Sequence, residues 1–178
     1  MLSVLAICAA PFVLATLAFY FWQPAGRTNT GEILLPKLLA ITATTSDGKA
    51  FDVQQFGGKW ALAVVDTPVC GEACQQKLFA IRQLRTAQGR DQDRIERLWL
   101  LSAAGSPATG LEPLTAGVTI AHAATADAVA TMFGSNADQN IYLIDPQGHL
   151  MMRFPARAEP KLILKDLRKL LSVNKRGT

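Results

Sequence analysis

Two cysteines, Cys70 and Cys74, stand where an apolar stretch beginning at Trp60 gives way to helical periodicity. Thiols at i and i+4 of a helix have Cα atoms about 6 Å apart, within the range a disulfide tolerates. The same spacing lets both sulfurs converge on one small metal ion. The chemistry on offer is therefore dithiol exchange or soft-metal binding. A helix N-terminus favours the thiolate, while Glu72, between the two, pushes the other way. Cys70, at the strand end, is read as the more exposed, attacking thiol, and Cys74, one turn in, as the resolving one. A permanent disulfide closing so short a loop would add little stability. That reading stays open, as does a domain that needs neither cysteine. The third cysteine, Cys8, lies in a wholly apolar run and reads as a small hydrophobe.

The elements that must position this pair follow from patterning. A turn at Asp47-Gly48 predicts a hairpin over 38–53, and Phe56-Gly57-Gly58-Lys59 leads into a buried strand over 60–65. Leu78, Ile81 and Leu84 predict a helix over 74–87, stopped at Gly89. Short strands are expected at 98–101 and 118–121, a loop at 105–110, and an Ala-rich helix over 125–133. Asp145-Pro146-Gln147-Gly148 predicts a second hairpin over 141–154, and leucines at helical spacing predict a closing helix over 159–171. Strands alternating with helices, then a hairpin and a terminal helix, predict an α/β fold: a thioredoxin-like mixed sheet flanked by helices.

In that order, His122 ends a strand at the carboxyl edge of the parallel sheet, the edge where Cys70 also emerges. It is a candidate metal ligand; the alternative is a loop residue with no partner. His149, just past the second turn, reads as an exposed strand residue, and Met151 and Met152 as core.

The chain has 178 residues, and its 49% hydrophobic content is raised by an uncharged run from Leu2 to Trp22. As a helix, that run spans a hydrocarbon core of about 30 Å. It lacks the basic start of a signal peptide, so an uncleaved transmembrane anchor is expected over 1–22. A turn-rich linker is expected over 23–36, the thioredoxin-like domain over 37–173, and a tail over 174–178. Arg27 and Lys37 follow the span and no cation precedes it, which taken literally puts the domain in the cytoplasm. Dithiol chemistry argues for the oxidising side. The expectation is a single-pass inner-membrane protein facing the periplasm. The net charge of +4 is scattered, and the cluster of Lys161, Lys165, Arg168 and Lys169 reads as a solvated helix face, so no nucleic-acid binding is expected.

Gly58-Lys59, the Cys-x-x-x-Cys of Cys70 and Cys74, and Tyr142-Leu143-Ile144-Asp145-Pro146-Gln147-Gly148 behind an N-terminal anchor resemble the Sco/SenC family. The resemblance covers roughly residues 1–173. It implies a thioredoxin fold, a part in cytochrome c oxidase assembly, a subunit of that oxidase or another assembly factor as partner, and either thiol reduction or Cu(I) handling. Two departures stand out. Sco proteins usually carry a proline after each cysteine, where this chain has Gly71 and Gln75. They also supply a copper-ligand histidine shortly before the Tyr-Leu-Ile-Asp-Pro strand, where this chain has Asn136-Ala137-Asp138-Gln139-Asn140. The expectation is thus redox chemistry first and copper second. Peroxiredoxins share the fold but need Pro-x-x-x-Thr-x-x-Cys, and Pro68 stands only two residues before Cys70.

Overall fold

The computed structural model describes residues 9–17 and 30–174. Residues 9–17 are helical (α1) and exposed. The rest of the expected anchor, the linker up to residue 29 and the tail from residue 175 lie outside the described residues. Among the described residues no helix is long and apolar enough to cross a membrane.

Seven strands form one mixed sheet in the order β1-β7-β6-β3-β4-β5-β2. Its centre is β3 (Trp60–Asp66), parallel to β4 (Ile95–Leu101), which is in turn parallel to β5 (Thr119–Ala123). On the other flank, β6 (Asn140–Ile144) runs antiparallel to β3, and β7 (His149–Pro155) antiparallel to β6. This is the thioredoxin-like α/β arrangement expected from the sequence.

Alternation along the central strands sorts their side chains between two cores. Trp60, Leu62, Val64, Ile95, Trp99 and Leu101 meet α2 (Glu72–Thr86) and α5 (Pro160–Asn174). Ala61, Ala63, Val65, Leu98 and Leu100 meet α4 (Ala126–Phe133) and the 3₁₀ turn Val53–Phe56. Parallel central strands buried on both faces explain the near-continuous apolar runs.

The two strands at the front of the chain cap opposite edges of the sheet. The Asp47-Gly48 turn closes as expected, with Thr45 N–H donating to Lys49 O at 2.8 Å. The ladder partner of β2 (Ala43–Thr45) is nevertheless β5. β1 (Glu32–Leu38) pairs with β7, so residues 32–36, expected to belong to the linker, are part of the sheet. Edge pairing needs only one satisfied side, which is why a strand containing Pro36 and the exposed Leu35 forms here. A one-turn helix, α3 (Glu112–Thr115), joins β4 to β5.

Candidate functional site

β3 carries its chain to the carboxyl edge of the sheet, where the 67–71 segment turns back into α2. Thr67 N–H caps on Asp66 Oδ1 at 2.8 Å, and Cys70 N–H donates to Thr67 O at 3.2 Å, tightening the loop. Gly71 is the N-cap of α2. Cys74 therefore lies in the first helical turn and Cys70 just before it. The two form a disulfide, with Cα atoms 5.0 Å apart.

Cys70 adopts φ +46°, the one positive φ outside glycine among the described residues. A residue with a Cβ in that conformation costs roughly 1–2 kcal/mol, which the surrounding contacts must hold. One such contact involves a departure from the resembled pattern. Gln75, standing where a proline was expected, donates its side-chain amide to Cys70 O at 3.0 Å and its N–H to Gly71 O at 3.0 Å. Proline could make neither bond.

The expectation that Cys70 is exposed is corrected. Cys70 is 0% exposed and Cys74 2%, both inside the core between the sheet and α2. The surface above is the 67–69 loop, whose Val69 is 75% exposed. It is held by the 102–110 loop: Ala108 N–H donates to Pro68 O at 3.0 Å, and Gly105 lies against the Pro68 ring.

A residue that the sequence reading passed over lies one turn beyond the disulfide. Lys77 is 1% exposed, on the face of α2 that carries Cys74, Leu78 and Ile81. Its ammonium has three donors and three acceptors: Asp66 Oδ2 at 2.8 Å, Val65 O at 3.4 Å, and Asp138 O. It ties the end of β3 and α2 to the segment before β6. A lysine at a periodic apolar position of a helix, with an aspartate closing the preceding strand, was the available signal.

His122 sits within β5 rather than in a loop, opposite Thr44 of β2 and Leu101 of β4. Alternation from Ala121 puts it on the cysteine face of the sheet, yet it shares a recess with Thr44, Ala104, Gly105 and Ser106. The 102–110 loop touches both this recess and Pro68. Among the described residues no three His, Cys, Asp or Glu side chains cluster to hold a metal. His149 is tied to Asp145, Nδ1 to Oδ2 at 3.1 Å, and Met152 is core, as expected.

This donor set fits Cu(I) poorly. His122 is not brought to the two sulfurs, and the segment where the resemblance places a histidine instead accepts the Lys77 ammonium.

Residues 60–174, from the first residue of β3 to the end of α5, match the family described as transmembrane-like, thioredoxin-like, C-terminal domain. The chain belongs to that family. No curated protein matches the sequence. Among solved structures, the fold of this family member is similar to a SCO1/SenC family lipoprotein from Bacillus anthracis: TM-score 0.60, 16% identity, 79% of this chain and 98% of that one. Yeast Sco1 with copper bound gives TM-score 0.59 at 15% identity, covering 83% and 95%. The thioredoxin domain of a thiol-disulfide oxidoreductase from Bacteroides vulgatus gives 0.57 at 14%, covering 77% and 98%. At such identities the likeness establishes the shared fold.

Proposed function

We propose that this protein is a membrane-anchored, periplasm-facing, Sco-like assembly factor for cytochrome c oxidase, acting as a thiol-disulfide reductant of metal-site cysteines in a partner. The observation that carries the reading is the Cys70–Cys74 disulfide at the junction of β3 and α2. The uncharged run from Leu2 to Trp22 supports the anchor.

In the reduced domain, the Cys70 thiolate attacks one sulfur of a partner disulfide. A mixed disulfide forms and the partner's other sulfur leaves as thiolate. Cys74 then attacks Cys70 Sγ, which restores the Cys70–Cys74 bond and releases the second partner thiol. The two protons of the domain's thiols end on the partner's two thiols, and an external dithiol returns the domain to its reduced form. Because both sulfurs are buried, each exchange requires the 67–69 loop to part from the 102–110 loop.

Trapping tests this order. Cys74→Ser should accumulate a mixed disulfide through Cys70, and Cys70→Ser should accumulate far less. A Cys70→Ser, Cys74→Ser double variant that still supports oxidase assembly would leave only a role as an interaction domain.

A further inference from the structure

The interior holds a second cation, and its surroundings differ from those of Lys77. Arg97 lies mid-way along β4, on the same face as Ile95, Trp99 and Leu101, and is 6% exposed. One of its nitrogens, Nη2, donates to Ala116 O at 2.6 Å. Its Nε and Nη1 are buried with no hydrogen-bond partner. Among the described residues no carboxylate forms an ion pair with it. Glu96, an opposing charge that acts on it, is held by Lys59 at 2.7 Å.

The neighbours add positive charge. Arg82 and Arg85, one turn apart on α2, hold the same region: Arg82 Nη1 donates to Pro113 O at 2.7 Å, and Arg85 Nε to Ile95 O at 2.8 Å. Arg85 pairs with Asp93, an exposed residue, at 3.4 Å. Burial first, then the charges of Arg85 and Arg82, push the Arg97 guanidinium below its ordinary value. Gly117 (φ +69°) leaves room here, since a Cβ would come within 3.1 Å of Arg97 Nη2.

A buried donor without a partner calls for a bound water or ion. Water can satisfy N–H groups but leaves the Arg97 charge uncompensated beside Arg85 and Arg82; an anion answers both needs. Guanidinium forks match the geometry of oxyanions better than that of a halide. We propose that Arg97, Arg82 and Arg85 form a binding site for a small oxyanion of the phosphate or sulfate class, between α2, β4 and the turn that follows α3.

The test is thermal unfolding of the full-length chain titrated with inorganic phosphate or sulfate against chloride at matched ionic strength. Phosphate and sulfate should raise Tm saturably, as mass action on a folded-state site requires. Arg97→Met should lose the response. Arg82→Gln, a change at an exposed position, should shift the midpoint to about tenfold higher concentration. General salt exclusion is not saturable and would persist in Arg97→Met. The proposal is overturned by no response, by an equal response to chloride, or by a wild-type response in Arg97→Met. Should Arg97→Met fail to fold, an unshifted midpoint in Arg82→Gln overturns it instead.

Discussion

Lys77 and Arg97 are buried cations on the same side of the sheet, at opposite ends of α2, and they are solved in opposite ways. Lys77 has a carboxylate and two carbonyls for its three donors. Arg97 has one carbonyl, two unpartnered nitrogens and two arginines for neighbours. A buried charge costs several kcal/mol unless it is paired and hydrogen-bonded. The first arrangement is complete in itself and holds the frame of the disulfide. The second is incomplete within the chain and points to something from outside.

The comparison breaks most visibly at Lys77. Lys77→Met should lower stability by about 3 kcal/mol in urea unfolding, the low end for removing one member of a buried pair, since Asp66 keeps some access to water. Arg97→Met, the same type of change in the second setting, should instead be neutral or raise stability by about 1 kcal/mol in buffer free of oxyanions. If both variants lose stability alike, the two cations are not differently compensated.

A surface pair marks the lower end of the scale. The Thr45 hydroxyl, then Lys49, hold the Asp47 carboxyl down to about 2 from 3.8. A depressed carboxylate contributes its stability above its unfolded pKa and loses it as pH falls through the folded one. The Asp47-Gly48 hairpin should therefore loosen between about pH 4 and 2, as read from the Gly48 and Lys49 amide resonances. The effect should be the smallest of these, because solvent screens an exposed pair.

Much of the fold is legible in the chain. Period-2 and period-3.6 patterns place β3, α2, the β6–β7 hairpin and α5 within a few residues, and the cysteines at a strand–helix junction. β1 is not legible, because Pro36 and exposed leucines follow neither period and the strand exists through its pairing with β7. The site is legible in its sulfurs and not in their burial, since exposure depends on how the 102–110 loop packs on Pro68. His122 falls on the expected sheet edge, in a recess lined by that loop. Lys77 and Arg97 escape for one shared reason. Each occupies an inward position of a periodic pattern, where polarity argues against burial and only the tertiary partners decide. For Arg97 the strand starts earlier than 98, and Ile95, Arg97, Trp99 and Leu101 alternate as one face.

The central claim is that the Cys70–Cys74 pair exchanges with a partner rather than stapling a loop. Its reduction potential, measured on the full-length chain in redox buffers of graded poise, tests this most directly. The account predicts a value above about −300 mV, in the range of disulfides that cycle; a value below it would mark a structural bond and contradict the claim.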